Sequence, residues 1–251
     1  MIVGVAGKGG VGKTTIAALL IRSLLARGIE PLLAVDADPN TCLYGKLGVE
    51  AGRSLGQIRE ESLRLKQEAP TGLAKRDLLE MEVQSAIVEG TGFDLLAMGR
   101  QEGPGCYCYV NNLLRSFVDG LGEAYKAVVI DNEAGMEHLS RRTNAGVDVM
   151  LLVCEPTRSS ARTLARLKEL AGSLDFRIGA EYVVLNRANG VPEAAVQAEI
   201  EGVGLETIGV VPKDEAVLQY ESEDESLLRL PADSAAAAAV DQIVNRLIEG
   251  G

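Results

Sequence analysis

The chain has 251 residues, 47% of them hydrophobic and 24% charged, the balance of a globular protein long enough for a core that stands alone. With 25 basic against 36 acidic residues it carries a net charge of −11, which argues against a sequence-independent grip on nucleic acid or on an anionic membrane. No apolar run approaches the ~20 residues of a membrane span, the apolar start MIVGVA is too short for a signal peptide, and four scattered cysteines make no disulfide framework. The reading is a cytoplasmic protein with reduced thiols.

In chain order, residues 2–6 form a short β-branched run that leads directly into GKGGVGKT at 7–14. Gly7, Gly12, Lys13 and Thr14 satisfy the GxxxxGK[ST] phosphate-loop pattern, in which glycines turn backbone N–H groups onto phosphate oxygens. Lys13 is expected to neutralise the β and γ phosphates and the Thr14 hydroxyl to bind Mg²⁺, with Gly9, Gly10, Val11 and Thr15 completing the cradle. A helix is predicted over 14–27, with Ile16, Leu19, Leu20 and Leu24 on one face and Gly28 as its stop.

Further buried strands are predicted at 32–35, 93–98, 127–130, 147–153, 182–185 and 207–211. They lack the alternation of a half-wet sheet, as parallel strands covered on both faces do. Residues 50–90 are more charged and read as helices over the sheet edge, and helices are predicted at 164–174 and 235–248. Strand alternating with helix gives a single doubly wound, mainly parallel α/β sheet with helices on both faces, a P-loop NTPase fold, in one domain over 1–251.

Two stretches carry further chemistry. LLAVDADPN, at 32–40, ends its strand with Asp36 and Asp38, and AVVIDNEAG, at 127–135, ends its strand with Asp131. A carboxylate beside a phosphate loop can orient water and complete the shell of Mg²⁺, although Asp36 has the alternative of capping the next helix. GPGCYCYVNNLLR, at 103–115, places Cys106 and Cys108 after a Gly-Pro-Gly turn. Two residues of helix are ~200° of rotation, so both sulfurs face one metal only where the segment is not helical. Two thiolates do not close a four-coordinate site, and a two-fold axis that doubles the pair would close it. The alternative is that both are buried hydrophobes. Cys42, at a helix start, and Cys154, at a strand end, read as structural. The lone His138 reads as a local hydrogen-bonding residue, with ligand or relay as its alternative.

KGGVGK, with its extra Lys8, resembles the deviant phosphate loop of the MinD, ParA, ArsA and nitrogenase iron protein superfamily. The resemblance implies a homodimer in which Lys8 reaches the nucleotide of the other subunit, as an arginine finger does. It also implies that Asp38 positions the attacking water, that Asp131 holds Mg²⁺ through water, and that Asp36, Asp38, Asp131 and Gly135 belong to the two switches. VVLNRAN, at 183–189, resembles the base-reading segment with Asn186 facing the purine and Arg187 beside it. Asn189 stands where a GTPase would show the Asp of NKxD, so adenine is the expected base. GVVPKDE, at 209–215, resembles the loop over the base, with Pro212, Lys213 and Asp214.

Together with DADPN and GCYCYVNN, the loop looks like the CooC family and its AcsF-type relatives. That likeness implies a Mg²⁺-dependent ATPase, binding ATP and ADP, which loads nickel into carbon monoxide dehydrogenase or acetyl-CoA synthase. It implies Ni²⁺ or Zn²⁺ on a four-thiolate site that Cys106 and Cys108 form across the dimer, and a nickel-enzyme client; the net charge of −11 speaks against nucleic acid and membrane as partners. Two alternatives stay open: an electron-donating iron-sulfur ATPase like the nitrogenase iron protein, and a positioning ATPase like MinD or ParA.

Overall fold

The structure of the chain, a computed structural model, describes residues 1–64, 81–99, 120, 124–132, 146–173, 177–190 and 192–250. In order, β1 (Ile2–Gly7) leads into α1 (Lys13–Ala26), β2 (Leu32–Asp36), α2 (Leu43–Leu47) and α3 (Leu55–Arg64). Strands β3 (Val88–Glu89), β4 (Phe93–Ala97), β5 (Ala127–Asp131) and β6 (Val147–Cys154) follow, then α4 (Arg158–Ser173) and β7 (Ile178–Asn186). The chain ends through α5 (Ala194–Gly202), β8 (Glu206–Val211), α6 (Glu215–Ser222) and α7 (Ala235–Glu249).

The eight strands form one sheet in the order β3-β4-β2-β5-β1-β6-β7-β8, every pair parallel except the short edge pair β3 and β4. Successive side chains along a strand point to opposite faces, and here both faces are buried. Val3, Val5, Ala34, Val129 and Leu151 pack under α1, α2, α6 and α7. Leu33, Val35, Ile130, Leu152 and Leu185 pack under α3, α4 and α5. This is why the strands read as unbroken apolar runs rather than alternating ones.

Helix α1 is buried on more than the stripe that Ile16, Leu19, Leu20 and Leu24 define, since Ala17, Ala18, Ile21 and Ser23 are buried too. It lies between the sheet and α7, where each large aliphatic side chain contributes ~1.5–3 kcal/mol of burial. Its buried Ser23 hydroxyl donates to Asp241 of α7 at 2.5 Å, and Arg27 binds the same carboxylate at 3.1 Å.

The structure corrects several expectations. The predicted helix at 164–174 begins six residues earlier, at Arg158, and the strand at 182–185 begins at Ile178. Helix α2 begins directly after Cys42, where a helix start is expected, whereas α5 and α6, each no longer than nine residues, carry too short a period to read from sequence. Helix α3 covers a face of the sheet through Leu55 and Ile58, not its edge, and β3 supplies the edge instead. Among the described residues no helix is long and apolar enough to cross a membrane.

Candidate functional site

Strand β1 sits between β5 and β6, and the helices that follow β1 and β6 leave on opposite faces of the sheet. The carboxyl ends of these strands therefore open a crevice, the place where such sheets bind ligands. The phosphate loop lies in it. Gly7 approaches β6 so closely that a β-carbon there would stand 2.5 Å from the Val153 carbonyl oxygen. Gly12 adopts a left-handed φ of 88°, and a β-carbon would meet Asn186 Nδ2 at 2.4 Å, so both backbone conformation and space demand glycine.

Asn186, buried at the end of β7, donates Nδ2 to the Val11 carbonyl at 2.8 Å. Its neighbour Arg187 donates Nη1 to the Gly10 carbonyl at 3.0 Å and to Glu155 Oε1 at 2.9 Å. Carbonyls braced from outside suit a phosphate cradle, whose N–H groups must face the anion. Lys13 is buried, and its Nζ lies 3.4 Å from the Lys8 carbonyl, a long contact that holds the ammonium loosely. Lys8 is exposed, and its Nζ donates to Ser159 Oγ at 2.8 Å.

Asp36 and Asp131 are register partners on the adjacent strands β2 and β5, both on the side of α1. Asp36 accepts from Asp38 N at 3.1 Å and from Leu43 N, the first residue of α2, at 2.9 Å, so it caps that helix and also holds the loop that follows β2. Asp38 accepts from Asn40 N at 2.8 Å and from Asn40 Nδ2 at 3.0 Å through one oxygen, and it is partly exposed. Asp131 is 1% exposed, and among the described residues neither of its oxygens has a hydrogen-bond partner by geometry. Burial raises its pKa from 3.8 to about 7, with Asp36 and Asp38 adding to the rise and the nearby Thr14 hydroxyl and Lys13 opposing it.

The buried Asp131 carboxylate, with no geometric hydrogen-bond partner among the described residues, and the Thr14 hydroxyl beside it are hard oxygen donors. These residues fit Mg²⁺: Thr14 and Asp131 would hold it, and Asp38 stands with them.

On the other side of the loop, Thr15, Asn186, Arg187, Pro212, Lys213, Asp214, Leu218 and Glu221 line one pocket. The expected base segment and the expected base loop are thus brought together. Asp214, though, has both oxygens taken up by backbone and hydroxyl donors. It caps α6 through Ala216 N at 2.8 Å and anchors α7 through Ala236 N at 2.9 Å and Ser234 Oγ at 2.7 Å. Burial works against its charge, and these donors outweigh it, holding the carboxyl below its ordinary pKa. Asp214 shapes the pocket from its wall.

Glu221 and Lys46 escape a reading of the sequence. Glu221 Oε1 accepts from Thr15 Oγ1 at 2.7 Å and from Lys46 Nζ at 2.5 Å, which joins the phosphate-loop helix to α2 and α6. No motif marks them, because both lie on short helices and meet only in three dimensions.

Residues 2–227 match the CobQ/CobB/MinD/ParA nucleotide binding domain family, CbiA. The chain belongs to this nucleotide-binding family. An uncharacterized ATP-binding protein of Methanocaldococcus jannaschii is 40% identical over 250 residues, 99% of this chain and 98% of its own. The carbon monoxide dehydrogenase accessory protein CooC of Rhodospirillum rubrum is 32% identical over 188 residues, 70% of this chain and 71% of that one. In fold, the chain resembles the MinD cell division protein of Aquifex aeolicus, with a TM-score of 0.71 at 22% identity, covering 99% of this chain and 96% of that one.

Within this MinD/ParA-family frame the cysteines separate. Cys154 is fully buried, as expected, and burial raises its thiol pKa, with Glu155 adding to the rise against the Ser160 hydroxyl. Cys42 is exposed, a correction to its reading as a structural residue. It sits just before α2, in the turn that Asp36 and Asp38 organise, so it faces outward rather than into the core. Cys106, Cys108, Gly135 and His138 lie outside the described residues. Among the described residues no group of three or more His, Cys, Asp or Glu is arranged to hold a metal ion.

Proposed function

We propose that the chain is a cytoplasmic, homodimeric, Mg²⁺-dependent ATPase that delivers nickel to carbon monoxide dehydrogenase or acetyl-CoA synthase. The hydrolytic half of this reading rests on one observation: the buried Asp131, with no geometric hydrogen-bond partner among the described residues, beside Thr14 and Lys13 at a braced phosphate loop. The nickel half is supported by the Cys106/Cys108 pair and by the 32% identity to the CooC accessory protein.

In the reaction, ATP and water give ADP and phosphate. Lys13 neutralises charge on the transferring phosphoryl group, and Lys8 of the other subunit adds a second cation. Asp38 orients the attacking water, with one oxygen fixed by Asn40. Bound Mg²⁺ would draw charge from the β and γ phosphates. Adenine sits in the pocket between Asn186, Arg187 and Pro212. ATP favours the closed dimer, which brings the two Cys106/Cys108 pairs together around one nickel ion as cargo, and hydrolysis releases it.

Native mass spectrometry under reducing, oxygen-free conditions with Ni²⁺, with and without ATP, tests the reading. One nickel per dimer, lost in Cys106→Ala with Cys108→Ala, is the expected result. Four irons with sulfide per dimer would replace it with the reductase reading, and a metal-free dimer would leave a positioning ATPase.

A further inference from the structure

The two lysines of the phosphate loop are linked through one residue. Lys13 Nζ reaches the Lys8 carbonyl at 3.4 Å, while Lys8 Nζ donates to Ser159 Oγ at 2.8 Å, across the crevice between β1 and β6. Ser159 is the second residue of α4, whose first turn holds no acidic residue and begins with the exposed Arg158. The positive end of a helix is a poor resting place for an ammonium, and a cationic neighbour makes it poorer. Among the described residues no carboxylate forms an ion pair with Lys8, so the serine hydroxyl is its hold.

We propose that Ser159 is a positioning residue that parks Lys8 in the single chain and sets how readily it leaves for a second copy. This rests on the reading that Lys8 acts across the dimer. A hydroxyl against a helix N-terminus holds an ammonium weakly, and a weak hold suits a side chain that must depart when another subunit presents nucleotide. The loop transmits the first step. Phosphates arriving on the chain's own loop draw Lys13 off the Lys8 carbonyl, which frees the segment that carries Lys8.

The test is the dimer dissociation constant in ATP·Mg²⁺, measured by sedimentation for the full chain with Ser159→Ala, Ser159→Asp and Ser159→Thr, each checked for folding by thermal melting. Ser159→Ala removes the parking bond and is expected to tighten the dimer roughly 3-fold, while Ser159→Asp replaces it with an ion pair and loosens the dimer about 10-fold. Ser159→Thr, which keeps the hydroxyl, is expected to match the parent. A structural role alone would push alanine and aspartate in the same direction, and that result, or no change in either, overturns the proposal. Lys8→Ala separates the two layers: it should erase the difference between the alanine and aspartate variants. A Lys8→Ala chain that dimerises and hydrolyses ATP as the parent does would overturn the cross-subunit reading itself.

Discussion

The phosphate side and the proposed base side of the site are built on opposite principles. On the phosphate side, among the described residues, Asp131 is buried with no geometric hydrogen-bond partner and Lys13 donates to a carbonyl 3.4 Å away. On the base side, Asn186, Arg187, Asp214 and Glu221 are all hydrogen-bonded within the chain. A buried polar group left unpaired costs ~1–3 kcal/mol, and more when charged. The phosphate side therefore holds groups whose partners arrive with the ligand, whereas the base side is scaffold that stands complete without it. The contrast predicts that equivalent truncations on the two sides move stability in opposite directions.

The largest effect belongs to Asp131→Asn. An acid whose pKa is raised on folding, here from 3.8 to about 7, keeps a proton that the unfolded chain has lost. Its contribution is favourable below the unfolded value and is lost as pH rises through the folded one, so nucleotide-free stability should fall between about pH 4 and pH 7. Asp131→Asn removes that titration and should stabilise the nucleotide-free protein at pH 8 by roughly 2 kcal/mol, while ATP turnover falls on the order of 10²-fold or more. Urea unfolding at several pH values, beside a phosphate-release assay, measures both. An asparagine variant that is destabilised at pH 8 would break the comparison.

Asn186→Ala should do the reverse. It strips the donor from the Val11 carbonyl and opens a void beside Gly12. Stability is expected to drop by ~1–3 kcal/mol, and ATP affinity by about 10-fold as the loop loses its brace. Calorimetric melting and titration with ATP are the checks. A stable variant with the same affinity would show that Asn186 braces nothing.

The same contrast explains what the sequence discloses. The phosphate loop reads directly because its chemistry depends on contiguous backbone, and Gly7, Gly12, Lys13 and Thr14 must stand at fixed spacing. Asp36 and Asp131 read through the buried runs they terminate, since a strand end fixes where its last side chain lies. The helix after β6 reads as starting too late because its first turn, RSSAR, is polar, although that turn carries Ser159. Asp214 reads as a ligand because it follows a strand in the base loop, and only the fold reveals that α6 and α7 both begin against it. Glu221 and Lys46 are separated by 175 residues, and no local pattern records that they meet.

That pair supplies the smallest prediction and the sharpest control. Burial opposes the Glu221 charge, but Lys46 and the Thr15 hydroxyl outweigh it and lower its pKa from 4.5. A depressed carboxyl contributes stability above its unfolded pKa, and that contribution is lost as pH falls through the folded value, in the acid range below 4.5. Lys46 and Glu221 are both partly exposed, so screening reduces the pair to ~1 kcal/mol or less. Lys46→Ala should lower stability at pH 7 by that amount, shrink the acid-range loss, and weaken ATP binding no more than about 3-fold, as melting curves at pH 4 and pH 7 and an ATP titration would measure. Because Thr15 still donates to Glu221, the carboxylate keeps one partner and the base side keeps its shape. A Lys46→Ala variant as impaired in nucleotide binding as Asn186→Ala would mean that the link from α2 to α6 belongs to the ligand-dependent half of the site.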